Sequence, residues 1–173
     1  MDHIKYVGAL LVLFASTWVG LQISFQLKQR PQHIRQLIDA LTILEAEMLY
    51  SQLSLQDAFF RVAKRVEEPA HSFFHQLANN LFTENQMFND HWDKQLEQFM
   101  TLSFLDDIDK QIIKQFGQTL GQHDYEQQEK NIRLTITYLQ RQREEAIKRA
   151  DQYSKLAKML GILCGLFIIL LLL

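Results

Sequence analysis

The chain is poor in every residue that staples, breaks or bends a backbone. It has one cysteine, two prolines and six glycines in 173 residues. Cys164 lies inside a C-terminal apolar run, which excludes an intramolecular disulfide and a thiolate metal cage. The prolines are Pro31 and Pro69, and four of the glycines fall in apolar runs, leaving Gly117 and Gly121 for the middle. So few breakers among many Leu, Gln, Glu, Lys and Ala predict an all-α protein. A net charge of -2 provides no basic field for nucleic acid. No glycine-rich phosphate loop occurs, and no Ser or Cys sits in a recognisable nucleophile setting. Neither a cofactor nor a small-molecule substrate is expected, and an enzyme ranks below a structural or binding protein.

What the chain does have is two long apolar runs. Between Lys5 and Lys28 no residue is charged. Tyr6 to Leu27 is long enough to cross the ~30 Å hydrocarbon core as a helix. Met159 to Leu173 is again free of charged side chains, and Leu156 and Ala157 extend it. Met159 to Leu173 alone covers only about 22 Å at helical rise, short of the ~30 Å core, and Lys155 and Lys158 can snorkel to help the run span. The expected layout is a transmembrane helix over 6–27, a helical domain over 29–155 and a transmembrane helix over 156–173. A cleaved signal peptide is the rival reading of the first run. It is disfavoured because Lys5 is a thin basic start and Leu13-Phe14-Ala15 puts Leu at the −3 position. Lys28, Arg30 and Arg35 follow the first run, and Arg141, Arg143, Lys148, Arg149, Lys155 and Lys158 precede the last. Basic residues beside spans stay on the cytoplasmic side, so the middle domain is expected there with both termini outside. The middle carries no Asn-x-Ser/Thr acceptor, which fits.

Helical spacing divides the middle into six helices with short connections, an antiparallel bundle by pattern. Pro31 is expected to open the first, with a stripe of Ile34, Leu37, Ile38, Leu41, Leu44 and Met48. Asp39, Glu45 and Glu47 leave that stripe. Ser54 and Asp57 signal the second start, followed by Leu55, Ala58, Phe59, Val62, Ala63 and Val66. Pro69 opens the third, carrying Phe73, Phe74, Leu77, Ala78 and Leu81. Thr83 and Gln86 form a capping-box pair before Phe88, Trp92, Leu96, Phe99 and Met100. Ser103 and Asp106 repeat the start signal, with Leu105, Ile108, Ile112, Phe116 and Leu120 read as facing inward. Gly121 ends that helix and Asp124 caps the next, whose stripe is Gln128, Ile132, Thr135, Ile136, Leu139, Ala146, Ala150 and Tyr153. No breaker separates this last helix from the final apolar run.

The candidate sites are weak. His71 and His75 have a metal-compatible i,i+4 spacing but no third ligand, so they read as boundary histidines. Asp106, Asp107 and Asp109 could suggest a cation site, but a solvated first turn matched to the helix dipole explains them. His123 and Asp124 adjoin each other without a nucleophile. Gly117 inside a helix costs about 1 kcal/mol relative to Ala, which close approach of a neighbouring helix would offset. Gly117, Gly121 and Asp124 are therefore a candidate helix-packing corner.

Phe116-Gly117-x-x-Leu120-Gly121-x-x-Asp124-x-x-x-Gln128 resembles a segment of the stage III sporulation protein AB family. So do Arg30-Pro31-x-x-Ile34-Arg35-Gln36-Leu37, the Leu44-Glu45-Ala46-Glu47 and Tyr50 that follow, Thr17-Trp18-x-Gly20, and the Leu-rich tail. The resemblance runs through the whole chain in order. It implies an endospore-forming bacterium and a mother-cell membrane protein of a channel complex across the two membranes around the forespore. It also implies a domain similar to the cytoplasmic helical domains of the type II secretion and type IV pilus platform protein. The implied partners are an ATPase, the stage III sporulation protein AA, and other stage III channel proteins. Asp39, Glu45 and Glu47 are then candidate docking residues for the ATPase. The alternative function is a membrane-anchored helical module for regulation or signalling.

Overall fold

The computed structural model describes residues 2–49, 51, 53–80, 88–120 and 125–172. They form six helices and no strands: α1 (Asp2–Leu49), α2 (Leu55–Ala63), α3 (Ala70–Asn80), α4 (Phe88–Leu102), α5 (Asp107–Thr119) and α6 (Tyr125–Leu172). The chain divides into two compact units, residues 1–29 with 145–173, and residues 30–144. The all-α expectation holds. The count changes because each apolar run belongs to the same helix as its neighbour in the domain.

Pro31 does not open a helix; it lies inside α1. An interior proline removes one backbone bond and costs about 3 kcal/mol. Pro31 is itself buried, and it stands between the buried His33 and Ile34 and the ion-paired Arg30. That packing offsets the lost bond. At α6 the expectation of continuity with the last run holds.

Ser54 caps α2 by accepting the Asp57 N–H at 3.2 Å. For α5 the cap is Asp106 rather than Ser103, with Asp109 completing a reciprocal capping box. The helix ends at Leu120, whose N–H donates to the Gly117 carbonyl at 3.2 Å. Thr83, Gln86, Gly121 and Asp124 lie outside the described residues.

In the 30–144 unit, paired contacts fix the helix directions. Arg30 meets Gln142 and Glu45 meets Arg133, so α1 and α6 run antiparallel there. Gln56 with Ala78 and Ala63 with His71 make α2 and α3 antiparallel. Glu97 with Lys110 and Asp93 with Lys114 do the same for α4 and α5. Trp92 is the hub of the core at 1% exposure. Its ring centroid lies 5.4 Å from Phe73, 5.8 Å from Phe116, 5.9 Å from Phe88 and 6.3 Å from Phe59. The indole N–H donates to the Ile113 carbonyl at 3.2 Å. Gly117 faces that indole, and a β-carbon there would overlap Nε1, Cδ1 and Cε2 of Trp92. Close approach of α4 is thus what offsets the helical glycine.

The inward face of α5 is rotated from the expected one. Asp109, Ile113, Phe116, Gly117 and Leu120 are buried, whereas Ile108 is exposed and Leu105 and Ile112 are half-buried. In α6 Gln128, Ile132, Thr135, Leu139, Ala146 and Ala150 are buried as expected, but Tyr153 is exposed and Ser154 is buried instead. An α-helix drifts against a fixed repeat, so a stripe read over many turns slips by one position.

Among the described residues no helix is long and apolar enough to cross a membrane. Most side chains of the expected spans, 6–27 and 156–173, lie outside the described residues.

Candidate functional site: the Arg30 clamp and the Asp39 groove

Arg30 begins the helical unit, three residues after the first apolar run. Its guanidinium closes on Asp109 with two bonds, Nε to Oδ2 at 2.9 Å and Nη2 to Oδ1 at 3.2 Å. Nη2 also reaches Asp106 Oδ2 at 2.7 Å and Gln142 Oε1 at 3.2 Å. The planar fork suits this bidentate geometry. Asp109 is wholly buried, while Arg30 keeps 14% side-chain exposure. Burial pushes the Asp109 carboxyl above the ordinary carboxylate range, against Arg30 and the Asp106 N–H, which pull it down. The solvated first turn expected for the three aspartates therefore describes Asp107 alone. Asp109 turns inward because it serves both the cap and a cation from α1.

One turn further along α1, His33 Nδ1 accepts the Phe104 N–H at 3.0 Å, and the two rings lie 5.8 Å apart. Burial lowers the His33 pKa. As an acceptor, Nδ1 carries no proton, so the ring proton sits on Nε2.

The three acidic docking candidates separate. Asp39 is exposed and pairs loosely with Arg35 at 3.6 Å. Glu45 is mostly covered and accepts from Arg133 Nε at 2.6 Å. Glu47 is 5% exposed and takes Arg61 at 3.2 Å and Arg65 at 3.3 Å. The expectation that all three lie free of structural duty is corrected for Glu45 and Glu47. Arg133 of α6 meets the Glu45 carboxylate, and Arg61 of α2 and Arg65 just beyond it meet that of Glu47. Asp39 instead lines a groove of about 450 Å³ with Gln32, Arg35, Gln36, Arg65, Val66 and Glu67. Gln36 donates to the Glu68 carbonyl at 3.1 Å, and its Oε1 is buried without a protein partner. Mixed charge and a free amide oxygen suit recognition of a polypeptide.

The remaining candidates are structural. His71 stacks on His75 at 5.7 Å and bonds the Ala63 carbonyl at 2.8 Å. His75 bonds Asn79 at 3.0 Å. Among the described residues no group of three or more His, Cys, Asp or Glu could hold a metal ion. Of the helix-packing corner, Gly117 packs as expected; Gly121 and Asp124 lie outside the described residues. Sequence reasoning missed the Arg30–Asp109 pair. Its one signal was an arginine at the end of an apolar run, where a local topological reason already sufficed.

Comparison with known proteins agrees along the chain. Residues 5–173 match the family model for stage III sporulation protein AB. The stage III sporulation protein AB of Bacillus subtilis (strain 168) is 34% identical over 169 residues, covering 98% of this chain and 99% of that protein. A solved structure of a stage III sporulation protein AB matches with a TM-score of 0.66 at 32% identity, over 71% of this chain and 97% of that one.

Proposed function

From the premise that this chain belongs to the stage III sporulation protein AB family, a sporulation protein family, we propose that it is a non-enzymatic membrane platform subunit of a sporulation channel complex. The terminal apolar runs anchor it by two spans, in the mother-cell (outer forespore) membrane. The 30–144 unit faces the cytoplasm and docks an ATPase of the stage III sporulation protein AA type.

One observation carries the membrane part. Trp18, Val19, Leu21, Phe25, Leu156, Met159, Leu163 and Phe167 all point outward, the least exposed, Leu21, at 50%. Leaving one such side chain in water rather than burying it forfeits roughly 1.5–3 kcal/mol, and lipid removes that penalty. Leu156, Met159, Leu163 and Phe167 follow helical spacing on one face. The Lys and Arg bias beside both runs supports the orientation.

Docking is assigned to the Asp39 groove, since Glu45 and Glu47 are committed inside the domain. Reversing Glu47 would set three cations together and cost about 3 kcal/mol or more, so it cannot report on a partner. The test is capture of the purified ATPase by the wild-type chain and by Asp39→Lys with Arg35→Glu. Surface charges act mainly on encounter and specificity. The pair should weaken capture about tenfold with helicity and thermal unfolding unchanged. Equal capture would remove this groove from the reading. For topology, a reporter fused after Gln76 should be active only as a cytoplasmic reporter, and an extracytoplasmic signal there would overturn the orientation.

A further inference from the structure

Resting on the reading that the Asp39 groove docks the ATPase, we infer that Arg61 and Arg65 form the charged edge of that groove and seat acidic side chains of the partner. Arg61 stands in the last turn of α2 and Arg65 just beyond its end. Like charges four residues apart on a helix repel. Here both are held on one carboxylate, Arg61 Nη1 at 3.2 Å from Glu47 Oε2 and Arg65 Nη1 at 3.3 Å from Glu47 Oε1. The Glu47 side chain is 6% exposed, against 52% and 55% for the two arginines. The anion is inside and the cations are outside.

One guanidinium is enough to neutralise Glu47. The second is left with no carboxylate of its own. Asp39 is occupied by Arg35 at 3.6 Å, and Glu67 makes no ion pair with Arg61 or Arg65. Lys64, between the two in sequence, is exposed and adds a third cation. A helix C-terminus favours positive charge, and a buried glutamate needs a partner, but one arginine meets both demands.

The two forks are also ready to bind. Each spends one nitrogen on Glu47, and a guanidinium carries five N–H donors in one plane. Anchoring on a buried carboxylate removes side-chain freedom that a loose arginine would lose on binding. Locked planar forks suit a second carboxylate, and arginine clusters are a recurring means of recognising acidic motifs. The surroundings favour a polypeptide over a small anion. Arg65 lines the groove beside the half-buried Val66 and the exposed amide of Gln32. Those groups give a peptide apolar and hydrogen-bonded contacts that inorganic phosphate cannot use.

The test is capture of the purified ATPase by the full chain in non-ionic detergent. Arg61→Gln and Arg65→Gln are made singly, because either leaves Glu47 one cation, whereas removing both would strand a buried carboxylate. Each should weaken capture about tenfold with helicity and thermal unfolding close to wild type. Each should also make capture less sensitive to salt between ~0.05 and ~0.5 M. On the wild-type chain, a hexaglutamate peptide should displace the ATPase at about tenfold lower concentration than hexalysine or inorganic phosphate. That competition decides the matter if either variant unfolds. Unchanged capture by both folded variants overturns the inference and leaves the docking reading standing. Hexalysine as the stronger competitor also overturns it, because Asp39 and Glu67 then hold the partner. Phosphate as effective as hexaglutamate overturns it too, since the arginines then select a small anion and not a polypeptide. No capture by the wild-type chain overturns the docking reading and the inference with it.

Discussion

Two centres hold the 30–144 unit together, and they are made of opposite materials. Around Trp92 four phenylalanine rings and a missing β-carbon interlock by shape. Around Arg30 three polar side chains surround one cation. The first centre joins α2, α3, α4 and α5; the second joins α1, α5 and α6. α5 belongs to both, offering Phe116 and Gly117 to the first and Asp109 to the second from one buried face. The difference is in what each tolerates. A shape-packed centre loses stability whenever volume changes in either direction. A charge-packed centre loses it when one partner is removed, and much less when both are replaced by well-packed apolar groups.

The comparison can be broken by mutation, starting with the largest effect. Trp92→Ala removes the hub and should cost about 3–5 kcal/mol, read by urea unfolding of the 30–144 unit with far-ultraviolet circular dichroism. A loss under about 1 kcal/mol would mean that the rings do not form the core. Asp109→Ala should cost about 3 kcal/mol by removing the buried, bidentate partner of Arg30, which keeps only the half-exposed Asp106 and the neutral Gln142 among its partners described above. The double change Arg30→Met with Asp109→Leu should recover most of that loss. A double variant as unstable as the sum of its singles would erase the distinction between the two centres.

Gly117→Ala comes next, at about 1–3 kcal/mol from overpacking against the indole. Combined with Trp92→Phe it should cost less than the two singles added, because the smaller ring yields the space. The smallest effect is in pH. Unfolded His33 takes up a proton near its ordinary value of 6.5, and burial lowers that value in the folded chain. Over the window between the two values the unfolded state binds more protons, so stability is full above it and falls as pH falls through it. Thermal unfolding from about pH 7 down to about pH 5 should show this decline, and His33→Asn should flatten it. Asp109 acts with the opposite sign, since its raised value makes the folded state bind more protons, but only nearer the carboxylate range.

The buried stripes of α1 to α4 were largely legible in the sequence. Ile34, Leu37, Leu41, Leu44 and Met48 are buried in α1, and Trp92, Leu96 and Phe99 in α4. Each is apolar at helical spacing, and water alone selects the face. Gly117 was legible for a different reason: a helical glycine needs a neighbour, although the sequence did not say that the neighbour is Trp92. The inward face of α5 was misread because its key residue is a carboxylate. Asp109 has a complete local excuse at a helix N-terminus, and only a partner 79 positions away turns it inward. Glu47 was misread likewise, since a glutamate beside an apolar stripe gives no sign that Arg61 and Arg65 will close over it.

By itself, then, the sequence determined the all-α class, the family, most of the apolar faces and the two runs whose described large side chains point outward. Apolar transfer, breaker content and helical period are properties of short windows, and they act the same way in any surroundings. The tertiary structure alone decided which charges are buried and with whom. A buried ion is tolerable only beside a partner that meets its geometry, and that partner arrives from another helix.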